Sequence, residues 1–324
     1  MKDTIPNLTQ NGPKINLNIG KYGLLVALLL LCTALTIITP KFLTLPNIMI
    51  IVTQVTINAL LAFGVTFIII TGGIDLSVGS VVAVTSVATA TFARADNYPL
   101  VVPLAMGLLV GLGFGALNGL AITKGKVPPF IVTLGTMTIG RGLALILSKG
   151  RPISNLSDSF NYIGSGSLLG IPLPILILIV VFIVCTLLLR KTVMGRYVYA
   201  VGGNEQAARA SGINVNKVKL FVYTLGGGLA ALAGIILTSR ISTGQPNVGI
   251  GFELSAIAAA IIGGTSTSGG VGTITGTLLG ALLIGVISNS LDLLNVSSYY
   301  QQVVMGLIII GAVLLDSLNK NKGN

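Results

Sequence analysis

The 324 residues are 53% hydrophobic and only 8% charged, with a mean hydropathy of +0.95, whereas water-soluble domains carry about 25% charged residues. That balance excludes a soluble fold, and 42 glycines without a three-residue period beside only 12 prolines exclude collagen and disordered linkers as well. The net charge of +11 is no nucleic-acid footprint, because the Lys and Arg residues stand between apolar runs, where they mark the cytoplasmic side of a membrane.

A helix needs about 20 mostly apolar residues to cross the ~30 Å of hydrocarbon in a bilayer, so the chain is read by counting spans. Residues 1–21 carry Lys2, Lys14 and Lys21 and predict a cytoplasmic N-terminal segment. The run that follows is too long for the apolar part of a cleaved signal, and no small-residue cleavage site follows it. Apolar runs occupy 22–39, 48–70, 76–92, 100–123, 130–147, 172–189, 220–237, 274–288 and 303–315. A shorter piece, 252–262, makes ten if it is counted as a broken crossing. The expected fold is therefore an all-α polytopic membrane protein of about ten transmembrane helices. Its membrane domain runs over 22–317, with a cytoplasmic tail at 318–324.

The second run ends in Thr71-Gly72-Gly73-Ile74-Asp75-Leu76-Ser77-Val78-Gly79-Ser80. Asp75 there is either an intramembrane acid with a role or a cap for the third helix, and the cap fits its neighbours better. The fourth run carries Gly107, Gly111, Gly115 and Gly119, and the seventh Gly226, Ala230 and Gly234. Small residues four apart let helix backbones approach closely in lipid, which predicts packing within one subunit. Between the sixth and seventh runs, 190–219 holds Arg190, Lys191, Arg196, Arg209, Lys217 and Lys219 against one acid, Glu205. By the positive-inside rule this loop is cytoplasmic, which agrees with six preceding spans and an inside N-terminus. Lys320 and Lys322 place the C-terminus inside too. Arg94, Arg141, Lys149, Arg151 and Arg240 fall near the outside and run against the rule without reversing it.

Within the basic loop, Asn204 suits an N-cap, Glu205 the positive start of a helix and Gly212 the residue past its end, predicting a helix of about seven residues over 205–211. So short a helix is marginal alone and must be held by packing. It is suited to docking a partner that pushes on it, or it is a plain connector. The piece 252–262 runs into Gly263-Gly264-Thr265-Ser266-Thr267-Ser268-Gly269-Gly270, which looks like the earlier Gly72-Gly73 loop. Irregular backbone at membrane depth must be buried in protein or line a watery cavity. These two loops are thus broken-helix elements of a pathway or gate, comprising Gly72, Gly73, Asp75, Ser77, Gly263, Gly264 and Thr265, or ordinary turns at the surface. Polar residues in or beside spans that could line a path are Gln54, Asn58, Asn118, Gln245 and Asn289.

The chemistry open to the chain is narrow. There is no histidine, and the two cysteines, Cys32 and Cys185, sit inside apolar runs as core residues. The eight acids form no metal-ligand spacing, and no Gly-x-Ser-x-Gly occurs. A phosphate-binding loop is absent, because Gly20-Lys21 and Gly125-Lys126 are followed by Tyr22 and Val127 and lack the preceding glycine. No enzyme activity, metal or cofactor is expected, and ATP hydrolysis would belong to another protein.

Gly202-Gly203-Asn204-Glu205 with Ala207-Ala208 and Ser211-Gly212-Ile213 resembles the coupling-loop motif of the sugar-type permease subunits of bacterial ATP-binding-cassette importers. The segments Gly72–Ser80 and Gly263-Gly264-Thr265-Ser266 with Gly269-Gly270 are similar to that family as well, and the likeness runs from Lys41 to Asp316. The stretches Ser211-Gly212-Ile213-Asn214-Val215-Asn216-Lys217 and Val296-Ser297-Ser298-Tyr299-Tyr300-Gln301 are most similar to members that carry ribose. The resemblance implies a multi-pass subunit of the bacterial inner membrane, surrounded by lipid. It would pair with a second permease subunit as a homodimer, accept a monosaccharide from a periplasmic sugar-binding protein, and be driven by a cytoplasmic ATPase. The implied coupling residues are Gly203, Asn204, Glu205, Ala207, Ala208, Arg209, Ser211 and Gly212. The competing reading is an ion-gradient-driven secondary transporter of a small polar solute. It would need an acid inside the spans, and with Glu253, Asp292 and Asp316 near span ends only Asp75 is placed for that.

Overall fold

A computed structural model describes residues 19–94 and 98–321; Lys2, Lys14, Lys322 and most of the predicted N-terminal segment lie outside the described residues. Among these the chain forms thirteen helices and one two-stranded hairpin. The first five helices are α1 (Ile19–Ile38), α2 (Leu45–Ile70), α3 (Val78–Phe92), α4 (Val101–Thr123) and α5 (Pro129–Ser148). A short helix α6 (Asp158–Ser165) and the hairpin β1 (Ser167–Leu168) and β2 (Ile171–Pro172) follow. Then come α7 (Leu173–Lys191), α8 (Val193–Gly203), α9 (Glu205–Ala210) and α10 (Val215–Ile241). The chain closes with α11 (Phe252–Ile262), α12 (Ile274–Leu293) and α13 (Ser298–Asn321).

Six of these, α2, α4, α5, α7, α10 and α12, are long and apolar enough to cross a membrane. The central pair is α2 and α10, each 61% buried over its most apolar stretch, while the corresponding stretches of α4, α5 and α7 are 28% buried or less. In lipid, burying apolar surface gives no net drive between helices, so close backbone approach must supply the attraction. The glycine stripe of α4 does this. A methyl group on Gly111 would strike the carbonyl of Gly227, one on Gly115 would stand 2.8 Å from Cα of Thr224, and one on Gly119 would stand 2.9 Å from Cα of Leu220. On the opposite side of α10, the place a side chain on Gly64 of α2 would take lies 2.9 Å from Cα of Gly226. The stripes therefore pack α4, α10 and α2 within one subunit.

Two apolar helices packed into the bundle, α3 and α11, are too short to cross. At ~1.5 Å per residue, α3 spans about 22 Å and α11 about 16 Å, against ~30 Å of hydrocarbon. Irregular backbone precedes each of them, at 71–77 and 242–251. Their first turns meet inside the bundle, where Gly79 of α3 lies against the carbonyl of Gly249 and the carboxylate of Glu253. From there α3 runs to one end of the molecule and α11 to the other. The expectation of a break at the second Gly-Gly loop is thus corrected: the break is ahead of α11, and 263–273 simply joins α11 to α12. Several backbone groups of 242–251 find partners within the protein, as irregular backbone at membrane depth requires. Gly244 bridges Ile153, the amide of Gln245 donates to Ser86 Oγ at 3.2 Å, and Arg141 Nη1 donates to the carbonyl of Val248.

Glu253 and Arg141 accordingly occupy places that span counting misassigns. Glu253 is in a first helical turn, but that turn begins inside the bundle, and Arg141 lies past the middle of α5 rather than outside. Both converge on Gly79: a methyl group there would meet Glu253 Oε2 and stand 3.4 Å from Arg141 Nη2. The helix α6 is a further element that span counting misses. It closes one end of α10 through Ser239, whose hydroxyl donates to the carbonyl of Phe160 at 2.6 Å and accepts from the amide of Gly164 at 2.6 Å.

Candidate functional site

Three glycine-rich segments far apart in sequence end helices in the same way. At α9, Gly212 has φ +82; its amide donates to the carbonyl of Arg209 at 3.1 Å, and that of Ile213 to Ala208 at 3.0 Å. At α2, Gly72 has φ +75, and the amides of Gly72 and Gly73 donate to Ile69 and Ile68 at 2.8 and 3.0 Å. At α11, Gly264 has φ +88, and the amides of Gly264 and Thr265 donate to Ile261 and Ala260, both at 2.9 Å. Each is a Schellman stop, with glycine supplying the left-handed residue and two bonds satisfying the last carbonyls. The likeness of the two Gly-Gly loops thus rests on a shared way of ending a helix.

Two of these stops and α8 come together at one end of the bundle. Gly202 of α8 lies directly on the carbonyl of Ile70, and a methyl group there would stand 2.6 Å from the amide of Gly270. That amide donates to the same Ile70 carbonyl at 2.8 Å. Tyr199 of α8 donates its hydroxyl to the carbonyl of Gly272 at 2.6 Å. Gly73 packs under the hydroxyl of Tyr223, which donates to the carbonyl of Ile74 at 3.2 Å. Gly263 lies on the backbone of Gly276, the first turn of α12. Sequence reasoning selects Gly203, but nothing stands within 4 Å of a methyl group placed there; the close contact belongs to Gly202. Its signal, a glycine inside a helix, is indistinguishable from its neighbour's until the fold is known.

Asp75 is 2% exposed and Ser77 1%. One carboxylate oxygen, Oδ1, accepts from the amide and the hydroxyl of Ser77 at 2.8 and 2.6 Å, and Ser77 Oγ accepts from Asn118 Nδ2 at 2.9 Å. Asp75 therefore shapes the turn into α3, bonding the N-cap residue Ser77 rather than the amides inside the helix, and ties it to α4. Thr265 is 1% exposed, and its hydroxyl has no partner among the described residues.

The helix α9 sits on this platform with one buried side chain, Ala208 at 4% exposure, and presents Gln206, Ala207, Arg209 and Ala210 to solvent. Asn204 caps it, its Oδ1 accepting from the amide of Ala207 at 2.9 Å. Glu205 pairs with Lys219 at 2.7 Å and with Arg209 at 3.0 Å. The Lys219 hydrogen bond is the main cause that holds the Glu205 carboxyl below its ordinary value, with the charges of Lys219 and Arg209 adding to it and partial burial opposing. Beside α9 a groove of about 510 Å³ runs to the turn between α4 and α5, lined by Lys126, Pro128, Glu205, Arg209, Asn216 and Lys219.

The five candidate path residues separate. Asn118 is committed to Ser77. Asn289 and Asn47 form a reciprocal amide pair between α12 and α2, at 3.0 and 3.1 Å. Gln245 serves the re-entrant backbone. Gln54 and Asn58 face a cavity between α2, α10, α11, α12 and α13. Among the described residues no group of three or more acids or cysteines could hold a metal ion.

A family model described as "Branched-chain amino acid transport system / permease component" matches residues 47–313. The ribose import permease protein RbsC of Haemophilus influenzae is 46% identical over 310 residues, covering 93% of this chain and 96% of the relative. That of Bacillus subtilis is 49% identical over 298 residues, covering 91% and 92%. The L-arabinose ABC transporter permease protein AraH of Azospirillum brasilense is 40% identical over 304 residues, covering 94% and 89%. No solved structure matches the chain.

Proposed function

This chain belongs to the family of branched-chain amino acid transport system permease components, and we infer that it is the membrane permease subunit of an ATP-binding-cassette importer that carries ribose. The observation that carries this reading is near-full-length similarity, at 46 and 49% identity, to two ribose import permeases. The chain is a multi-pass membrane protein and a transport subunit rather than an enzyme. An ATPase and a sugar-binding protein are its working partners.

The finer assignments rest on the geometry. We assign α9 and its ends (Gly203, Asn204, Glu205, Ala207, Ala208, Arg209, Ser211 and Gly212) as the docking element for the ATPase. In support, α9 is exposed along most of its surface yet fixed by a cap, two ion pairs and a Schellman stop. The basic groove at its side would steer an acidic partner surface, an effect on association more than on affinity. Movement of α9 would reach the translocation path through Gly202 and Tyr199, which rest on the end of α2 and the segment ahead of α12. The loops with Gly72, Gly73, Asp75, Ser77, Gly263, Gly264 and Thr265 are then the transmission to the pathway.

By the positive-inside rule the end with α8 and α9 faces the cytoplasm, with both termini there and ten passes in all, those of α3 and α11 completed by the irregular backbone ahead of each helix. The protein would sit in the bacterial inner membrane, as a homodimer surrounded by lipid. The test is uptake of labelled ribose by cells that lack their own ribose permease and express this chain with its ATPase and binding protein. Uptake should stop when ATP is depleted and persist when an uncoupler collapses the ion gradients with ATP maintained. Uptake that the uncoupler abolishes would favour ion-driven transport through the acids inside the bundle, Asp75 and Glu253.

A further inference from the structure

The cavity that Gln54 and Asn58 face holds about 300 Å³, at the small end of the ~300–1,000 Å³ that small-molecule sites occupy. Its polar lining is Gln54, Asn58, Arg240, Ser288, Asp292 and Gln301, with Ser255, whose hydroxyl donates to the carbonyl of Gly251. Much of this hydrogen-bonding capacity is unspent. Gln54 Oε1 is buried without a partner, although buried polar atoms ordinarily find one. Among the described residues the side chains of Asn58, Arg240 and Ser288 make no hydrogen bond either, whereas Asp292 Oδ1 accepts from Gln301 Nε2 at 2.8 Å.

The charges are informative. Arg240 and Asp292 line one cavity, yet they are not within the 4.0 Å of an ion pair. A lone arginine would select an anion and a lone aspartate a cation. Held apart across one space, they cancel in net charge and leave a strong donor and a strong acceptor facing the same occupant. A neutral molecule with several hydroxyls, each both donor and acceptor, satisfies that set. Apolar walls from Ile57, Leu237, Phe252 and Met305 suit the carbon face of such a molecule.

Resting on the reading as a sugar permease, we propose that this cavity is the site inside the permease that binds the monosaccharide after hand-over. On the proposed topology it lies toward the outer end of the bundle. Asp292, which is exposed, stands at the mouth, with Gln54 and Asn58 deeper on α2. From there α11 and α12 lead to the Gly263–Gly272 segment at the other end. Such a site must bind well enough to admit the sugar and weakly enough to release it.

Two measurements on the complete importer in proteoliposomes test this. First, Asn58→Leu and Asp292→Asn should slow ATP-driven D-ribose uptake roughly tenfold, the scale of one lost hydrogen bond to a polar or charged group. ATP hydrolysis stimulated by the loaded binding protein should stay within about twofold, because docking and drive are untouched. Second, Met305→Cys, in a chain with Cys32→Ser, reports on the cavity wall; Cys185 is 2% exposed and out of reach. An impermeant thiol reagent added outside should modify Cys at 305, and D-ribose should slow the reaction several-fold, whereas an equal concentration of sucrose should not. Normal uptake in both polar variants would overturn the site. So would a reporter that ribose does not protect, or that never reacts, in an importer that transports. A wild-type importer that carries no ribose would instead overturn the function, and is distinguished by the uptake control.

Discussion

At Gly202 a methyl group would run into the carbonyl oxygen of Ile70, whereas at Gly203 nothing stands within 4 Å. Both belong to the last turn of α8, and neither has a φ in the left-handed region, so the difference between them is purely one of space. Gly202→Ala should lower stability by ~1–3 kcal/mol through overpacking and sever α8 from the ends of α2 and α11. Gly203→Ala should be tolerated. Thermal unfolding of the two variants in detergent separates them, and equal melting temperatures would show that α8 does not rest on Ile70. Glu205 gives a pH dependence of known sign. Its carboxyl is held below the ordinary value by Lys219 and Arg209, so its contribution is present above about pH 4.3 and is lost as pH falls through the lower folded value. The side chain is 41% exposed, which limits the pairs to ~0.2–1 kcal/mol after solvent screening. Protection of the α9 amides, taken as the exchange rate relative to the intrinsic rate at each pH, should fall on acidification through that window in the wild type, and the step should be missing in Glu205→Gln.

Among the elements, the contact of α4 with α10 depends on glycine at positions facing the partner backbone and not at the others. Gly115→Ala places a methyl group 2.8 Å from Cα of Thr224, while Gly113→Ala meets nothing within 4 Å. The first should cost ~1–3 kcal/mol; the second should be neutral or gain ~0.5–1 kcal/mol from helix propensity. The pair of half-length helices makes a second prediction. Arg141→Met removes the cation near half-buried Glu253 and the hydrogen bond to the Val248 carbonyl, which should cost about 1 kcal/mol, and adding Glu253→Gln should recover part of that. A double variant no more stable than Arg141→Met alone would mean the two charges do not interact. Much of this level was legible in the sequence: runs of apolar residues located ten helices, and the small-residue spacing indicated their packing. Three features were not. The helix α8 is continuous with a basic stretch that reads as loop, α6 is only eight residues long, and the depth of Glu253 depends on 242–251 turning back into the bundle. Periodicity reports which face of a helix is apolar, not where along the membrane normal the helix begins.

For the whole molecule, the sequence holds the parts of the candidate coupling surface but not their meeting. Ile70, Gly202 and Gly270 are separated by more than sixty residues at each step, and nothing local states that the two glycines meet on the Ile70 carbonyl. Their common glycine chemistry, a left-handed helix stop at Gly72, Gly212 and Gly264, is visible in the sequence as a repeated motif. That two of the stops lie under α8 is a property of the fold. On the proposed function, an ATPase docks on α9 and its force passes through α8 into the ends of the membrane helices. The most direct test is co-purification, from gentle detergent, of the wild type beside Gly212→Val and Glu205→Arg. The wild type should bring down an ATPase with a phosphate-binding loop. Both variants should lose it while keeping their membrane domain folded, since Gly212 has open space around it and the damage is confined to φ +82. An ATPase retained equally by both variants, or a wild type that purifies alone, would contradict it.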